Sequence, residues 1–233
     1  MLNKLKFLPL DLPIFIILII RSLISPKEIY NKKLIPELNI NKKLLILANG
    51  PSLKKDIERI RKISESYDVF AVNYFALTEY FDEIKPNFYF LFDQKFWSNK
   101  VNDKIISNAE SLVEKLSNIN WDMLLICNEV GYSKLKVIAK KNKHVTLIKV
   151  RNNPCDLKLE SLHLFAINNY LCTPNFGRNV FILALWYALF IGKKDIEIYG
   201  ADFSQFKEFE IDQKNNNTLT NESHFYSFMD GTH

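Results

Sequence analysis

Five polar residues along this 233-residue chain each follow a short apolar run, and together they offer the groups needed to bind a charged ligand. They are Asn49, Asn73, Asp93, Asn128 and Asp202. Carboxamides and carboxylates bind phosphates, ribose hydroxyls and metal ions. One polar residue after a strand is ordinary loop chemistry, whereas a repeated set predicts a polar pocket wherever the strand ends meet.

The sharpest of these transitions is Asn49-Gly50-Pro51-Ser52, which follows the apolar run 44–48. A helical pattern comes next, with Ile57, Ile60 and Ile63 on one face. A turn of this kind places backbone N–H groups at a helix N-terminus, where phosphate binds. The alternative is a tight strand-to-helix connection without a ligand, since turns use the same residue types.

A general base is sought among the histidines, because the unperturbed pKa of histidine suits proton transfer near neutral pH. His224 is the first candidate and His233 the second, with a structural histidine as the alternative for His224. No Asp-x-Asp pair follows a strand, so we expect no bound metal, although Asp93 or Asp202 alone can join a metal site. The alternative role for Asp202 is to accept backbone N–H groups and tie its strand to a neighbouring loop.

Alternating apolar strands and amphipathic helices position these residues and predict an α/β fold, a single Rossmann-like, doubly wound and mostly parallel sheet. The carboxyl ends of parallel strands share one edge, which brings the polar residues together. Residues 151–176 are expected to be irregular, and the polar segment 203–223 is expected to form a lid loop. The predicted strands are 44–48, 68–72, 88–92, 123–127, 145–148 and 196–199, and the predicted helices lie near 57–63, 112–116, 135–138 and 180–191.

Composition excludes several classes of function. Only six glycines are present, too few for a Gly-rich nucleotide loop. Residues 44–233 carry 23 basic and 23 acidic side chains, and this neutral body argues against nucleic-acid binding. The three cysteines have no metal-ligand spacing and are expected to be reduced and structural, as in a cytosolic protein.

The N-terminal arm, residues 1–42, differs from the domain predicted over 43–233. Residues 1–43 carry eight basic and three acidic side chains, a net charge of +5. Lys4, Lys6, Arg21 and Lys27 flank an apolar run too short to span a bilayer. This pattern predicts an anchor lying in the plane of the cytoplasmic membrane surface, with a helix packed on the domain or on a partner subunit as the alternative. Because no closing element follows residues 223–226, we also expect that the natural chain continues or is truncated.

The ordered motifs resemble the bacterial sialyltransferases of glycosyltransferase family 42 and the wider group that contains the pterin-diphosphokinase-like domain. The resemblance covers about residues 43–228. It is carried by Asn49–Leu53, Asp68–Asn73, a strand ending at Asp93, the small-residue segment Thr173–Gly177, Ile198–Phe203 and Ser223–Tyr226.

The resemblance implies a metal-independent, inverting glycosyltransferase with one Rossmann-like domain and a lid, a GT-A-like variant. Its donor would be CMP-sialic acid or a related nucleotide sugar, without a cofactor, and its acceptor a surface glycan or glycolipid at the inner membrane. The implied nucleotide-binding residues are Asn49, Gly50, Pro51, Ser52, Asn73, Asp93, Asn175, Gly177, Asp202 and Ser204. His224 matches a histidine of the family.

The chain departs from the sialyltransferase pattern at two positions. Ser204 stands near the place of a phosphate-binding tyrosine, and Phe228 at the place of the catalytic histidine. Two alternatives therefore stay open. One is a pterin diphosphokinase-like enzyme that uses ATP and Mg²⁺, and the other is a non-catalytic nucleotide-binding protein. A homo-oligomer also stays open.

Overall fold

The computed structural model describes residues 7–24, 41–93, 96, 103–150, 154–155, 157–168, 171–173, 179–202, 209–212 and 217–220. The helices are α1 (Leu8–Ile24), α2 (Leu53–Ile63), α3 (Phe81–Ile84), α4 (Asp103–Ser117), α5 (Glu129–Lys141), α6 (Glu160–Asn168) and α7 (Val180–Phe190). The strands are β1 (Leu44–Leu47), β2 (Asp68–Val72), β3 (Phe88–Leu91), β4 (Met123–Cys127), β5 (Val145–Lys149), β6 (Ile196–Tyr199), β7 (Phe209–Asp212) and β8 (Asn217–Thr220).

The first six strands form one sheet in the order β5-β4-β3-β2-β1-β6, and all neighbouring pairs are parallel. The chain steps outward from β1 to β5 and then returns across the sheet to place β6 on the other side of β1. Strand order therefore reverses between β1 and β6. In open α/β sheets, ligands bind beyond the carboxyl ends of the strands at such a switch point.

Helices cover both faces of the sheet, which confirms the predicted Rossmann-like α/β class. One face packs against α2, α4 and α5 through residues such as Ile57, Leu116 and Leu135. The other face packs against α7, where Tyr187 contacts the rings of Phe70 and Phe90. Strands β1 to β4 are buried along their whole length, as expected for a parallel sheet covered on both sides.

Two segments differ from the prediction. Residues 151–176 contain helix α6, which sequence periodicity missed because only Ala166 of this helix is buried and its apolar residues form no clear stripe. The polar segment 203–223 contains β7 and β8, which pair as an antiparallel hairpin. Phe209–Asp212 alternates apolar and polar residues, a strand signal that the surrounding polar residues obscured.

Helix α1 packs on α6, away from the sheet. Leu18, Cys155, Leu157, Ala166 and Cys172 form a small third core between them. Among the described residues, no helix combines the length and the apolar character needed to cross a membrane. The predicted boundary between arm and domain at residue 42 remains a prediction.

Candidate functional site

The candidate site lies at the carboxyl edge of β1, β2, β3 and β6, which we call the rim. Asn73 follows β2 directly, and Asn49 and Asp93 come two residues after β1 and β3. The parallel register pairs Leu47 with Ala71 and Val72 with Phe90, so these three residues leave the sheet at the same edge. The strand ends therefore share one edge of the sheet, as predicted, and a single pocket formed by their polar side chains stays a prediction.

Strand β6 holds the β1–α2 turn in place. The Gly50 N–H donates to the carbonyl oxygen of Gly200 at 2.8 Å, which extends the β1–β6 ladder beyond the strands. The Ser52 N–H donates to Oδ2 of Asp202 at 2.8 Å. The segments that follow β1 and β6 are thus joined by a backbone hydrogen bond and by the Asp202 carboxylate.

Gly50 and Gly200 lie so close to neighbouring atoms that neither position has room for a side chain. A Cβ atom on Gly50 would lie 2.2 Å from Asp202 Oδ2 and 2.5 Å from the Gly200 carbonyl oxygen. Gly200 has φ +71, and a Cβ atom there would lie 2.8 Å from the Ala48 carbonyl oxygen. Glycine is the residue that fits such contacts and such a backbone angle.

The N–H groups of Gly50, Ser52 and the first residues of α2 are engaged within the chain. Those of Leu53, Lys54 and Lys55 donate to the carbonyl oxygens of residues 50–52, and Asp202 stands at the anion position of the α2 N-terminus. The structure thus shows the tying role for Asp202 that the sequence left as an alternative. Phosphate binding at this turn stays a prediction. It requires a phosphate oxygen to replace the Asp202 carboxylate as the acceptor of the Ser52 N–H.

Two carboxamide oxygens at the rim are buried without a partner. Oδ1 of Asn49 and Oδ1 of Asn73 accept no hydrogen bond from the part of the chain that the structure describes. A buried acceptor without a donor costs about 1–3 kcal/mol, so such groups call for an explanation. A bound molecule with N–H or O–H donors, or with a cation, supplies one.

Asn73 is also held in a rare backbone conformation. Its φ is +50, in the left-handed region that asparagine tolerates better than other non-glycine residues. The buried Tyr89 hydroxyl donates to the Asn73 carbonyl oxygen and accepts from the Ala76 N–H at 2.7 Å. Tyr89 therefore fixes the 3-10 turn Asn73–Leu77 and, with it, the position of the Asn73 side chain.

Asp93 lies close enough to Tyr74 for its charge to act on the phenol. Burial, and then the negative charge of Asp93, raise the pKa of Tyr74 well above its usual range. The Tyr74 hydroxyl therefore stays protonated at neutral pH. Its ring packs against Phe96, with centroids 4.6 Å apart, which links the end of β2 to the segment after β3.

The structure brings Asn49, Gly50, Pro51, Ser52, Asn73, Asp93 and Asp202 to one edge of the sheet. Asn128, at the end of β4, serves as the N-cap of α5, where it accepts from the Gly131 N–H at 2.7 Å. Asn175, Gly177, Ser204, His224 and His233 lie outside the described residues, so the predicted bases and the second half of the pocket stay predictions.

Sequence reasoning missed Tyr74 and Tyr89, which position Asn73 and neighbour Asp93. Both residues lie in apolar runs, where a tyrosine reads as core. His144, which precedes β5, lies at the opposite edge of the sheet, where its Nδ1 is 2.8 Å from Asp122 Oδ1.

The described residues of the rim form no preformed cage for a magnesium ion. Among the described residues, no three His, Cys, Asp or Glu side chains come together as a preformed metal cage. Mg²⁺ prefers oxygen ligands and often uses only one or two carboxylates, because phosphates and waters complete its shell. Asp93 and the unpartnered oxygens of Asn49 and Asn73 fit that donor set.

Comparison with known proteins gives one family. Residues 21–208, about four fifths of the chain, match the family described as "MptE-like: 6-hydroxymethylpterin diphosphokinase MptE-like". A search of curated proteins finds no match.

Proposed function

Because the chain belongs to the 6-hydroxymethylpterin diphosphokinase MptE-like family, we propose that it is a diphosphokinase-like transferase that uses ATP and Mg²⁺. The nucleotide would bind at the rim, beside the switch point between β1 and β6. The observation that carries this proposal is the pair of buried, unpartnered carboxamide oxygens of Asn49 and Asn73. These groups leave the sheet from neighbouring strands at the edge where α/β sheets bind ligands.

Asn49 and Asn73 would orient the ligand. Each carboxamide carries an acceptor oxygen and two donor hydrogens, so it can accept from a ribose hydroxyl or a ring N–H and donate to a phosphate oxygen. Such bonds satisfy the buried oxygens, whose burial without a partner is otherwise unfavourable. The Tyr89 hydroxyl holds Asn73 in place before the ligand arrives, which lowers the entropic cost of binding.

Asp93 would supply a carboxylate oxygen as a ligand to Mg²⁺ in a magnesium–nucleotide complex. When bound, Mg²⁺ neutralises the phosphates and orients them for attack. The chain's own contribution is the carboxylate of Asp93, together with the neutral Tyr74 hydroxyl nearby as a donor. The Tyr74 phenol can hydrogen-bond to an anionic oxygen without losing its proton at neutral pH.

Diphosphate transfer breaks one bond and forms another. An oxygen of the acceptor hydroxyl forms a bond to the β-phosphorus, and the bond between that phosphorus and the oxygen bridging to the α-phosphate breaks. The products are a diphosphorylated acceptor and a nucleoside monophosphate, and the proton of the hydroxyl passes to a base. His224 remains the sequence-based candidate for that base.

The sialyltransferase-like alternative differs in its nucleotide and in its need for a metal. It predicts binding of CMP or a CMP-sugar without a divalent ion, whereas the diphosphokinase proposal predicts binding of ATP with Mg²⁺. The two functions share the rim, so nucleotide specificity distinguishes them.

The test is a thermal-shift series on the full chain with CMP, UDP, GDP and ATP, each with Mg²⁺ and with EDTA. We expect stabilisation by ATP with Mg²⁺ that EDTA removes. Stabilisation by CMP that survives EDTA would overturn the proposal in favour of a glycosyltransferase. If no nucleotide changes the melting temperature, the chain is not a nucleotide-dependent enzyme of either kind.

Variants then locate the nucleotide. Asn49→Ala and Asn73→Gly should each abolish the ATP shift, and glycine is chosen at position 73 because it tolerates the positive φ. Asn118→Ala is the matched control, since Asn118 is exposed and its Nδ2 donates only within α4 to the Glu114 carbonyl oxygen. An unchanged ATP shift in both rim variants would place the nucleotide elsewhere.

A further inference from the structure

Exposed apolar side chains are concentrated on one part of the molecule. Sixteen large apolar side chains are exposed among the described residues, and nine of them lie on α1. Two more, Leu164 and Phe165, lie on the adjacent α6. We call these eleven residues the α1–α6 apolar surface. Contiguous apolar surfaces of this kind are rare on soluble monomers and mark sites of interaction.

Helix α1 is held on the protein by a single stripe of side chains. Asp11, Phe15 and Leu18 follow one another at spacings of four and three residues and so lie on one face. The Asp11 carboxylate is buried and accepts from the Leu159 N–H, just before α6. Phe15 packs edge-on against Phe165, with centroids 5.7 Å apart. The helix therefore lies along the protein surface and turns its other faces outward.

This docking removes the only carboxylate of α1 from the outward side. What remains outward is apolar, with Arg21 as the exposed charge in the last turn. In the sequence, Lys4, Lys6 and Lys27 stand on either side of the helix. An apolar helix face with basic residues at both ends is typical of segments that lie in the interface of an anionic membrane.

We propose that the α1–α6 apolar surface binds in the plane of a membrane that contains anionic lipids. The positive charge of the N-terminal residues favours an anionic membrane as the binding partner of this surface. Residues 1–43 carry a net charge of +5, whereas residues 44–233 are neutral. Anionic headgroups attract that charge, whereas a second copy of the chain would bring two positive arms together. With α1 lying flat on α6, the membrane plane would run parallel to the helix axis.

The surface and the proposed diphosphokinase site share no residue. The family match begins at residue 21, so most of α1 precedes the part of the chain that is shared with the family. Membrane binding by this surface can therefore be tested independently of nucleotide binding at the rim.

The test is flotation of the full chain with vesicles of phosphatidylcholine alone and with vesicles that also contain phosphatidylglycerol. We expect binding to the anionic vesicles to be tighter by at least about tenfold, because each basic residue near the surface adds to the attraction. Raising the salt from about 0.1 to 1 M should weaken it, since the screening length falls from about 10 to 3 Å. Equal binding to both vesicles, or none to either, would overturn the proposal.

Two variants test the surface. Ile17→Glu with Ile20→Glu places charges on side chains that are 52% and 48% exposed and should abolish flotation. Val130→Glu is the matched control, since Val130 is 59% exposed but lies on α5. Arg21→Glu should reduce the preference for anionic lipid while leaving the fold intact, because the residue is exposed.

The competing occupant has its own signature. If α1 covers a second copy, the wild-type chain will be a dimer in sedimentation velocity, the Ile17→Glu, Ile20→Glu variant will be a monomer, and neither will float with vesicles. That result would reject the membrane and assign the surface to self-association. Circular dichroism of each variant ensures that a loss of flotation does not arise from unfolding.

Discussion

At the β1–α2 turn, one backbone N–H group has two competing partners. The Ser52 N–H points at the position where a phosphate oxygen would bind, and in this structure it donates to Asp202. A carboxylate and a phosphate are equivalent here because both are anions at a helix N-terminus. Asn-Gly-Pro-Ser therefore predicts an anion at the turn without deciding whether the chain or a ligand provides it.

Packing at Gly50 gives the first prediction. Gly50→Ala should lower the free energy of unfolding by about 2 kcal/mol, the cost of overpacking a filled site, because the new methyl group collides with Asp202 and the Gly200 carbonyl. Urea denaturation measures the change. Ser52→Ala is the control and should change stability little, since the Ser52 side chain makes no capping hydrogen bond. Equal stability of Gly50→Ala and wild type would contradict the close approach.

Some site residues were predictable and others were not, for a physical reason. Asn49, Asn73 and Asp93 are polar residues that follow apolar strands within two positions, and parallel strands bring their ends to one edge. Tyr89 lies inside β3, and its apolar neighbours give no sign that its hydroxyl reaches Asn73. Contacts between a strand interior and a distant turn depend on the register, which the sequence pattern does not specify.

At the scale of elements, a buried ion pair secures the other edge of the sheet. Lys193, which precedes β6, has its Nζ 2.5 Å from Oδ2 of Asp68 at the start of β2, and it also donates to the Lys42 carbonyl oxygen at 2.9 Å. The Lys193 side chain is almost completely buried. The pair links the entrances of β1, β2 and β6 opposite the rim.

Breaking that pair should be costly. Lys193→Met should lower the free energy of unfolding by about 3 kcal/mol, because Asp68 loses its closest cation at a buried site, while Lys42 Nζ, 3.4 Å from Asp68 Oδ1, offsets part of the loss. Lys194→Met, at the exposed neighbouring position, is the control and should change it by less than about 0.5 kcal/mol. Thermal denaturation of both variants and of Lys193→Met with Asp68→Leu provides the measurement. The double variant should recover much of the loss, and no recovery would show that packing rather than charge explains the effect.

The six strands of the main sheet and its helices α2, α4, α5 and α7 were predicted, whereas the short helix α3, helix α6 and strands β7 and β8 were not. Helices α2, α4 and α5 bury one face against the sheet, and that burial gives the periodic pattern, whereas α7 is apolar along its length and was predicted from that run. Helix α6 packs on α1 instead and buries only Ala166, so its sequence shows no such pattern. Hydrophobic periodicity therefore predicts a helix that buries a stripe of side chains against a sheet. It misses a helix such as α6, which packs only on another small element.

At the scale of the whole molecule, the described chain contains a large α/β core and a small satellite core. Cys127 lies in the interior strand β4, while Cys172 lies in the small cluster beneath α1. Burial raises the pKa of both thiols to about 12. At pH 8.5 each thiol therefore stays protonated in the folded protein, and alkylation, which requires the thiolate, needs local or global unfolding.

The two cores should therefore unfold at different urea concentrations. Without urea, iodoacetamide at pH 8.5 should label both cysteines far more slowly than in the unfolded chain, because each thiol is buried and its raised pKa keeps it protonated until the surrounding structure opens. As urea rises, Cys172 should react first, since the satellite core buries few side chains and opens locally, whereas Cys127 requires the sheet to separate. Mass spectrometry of the two cysteine-containing peptides gives both labelling curves. Curves that coincide at every urea concentration would mean that α1, α6 and the sheet unfold as one cooperative unit.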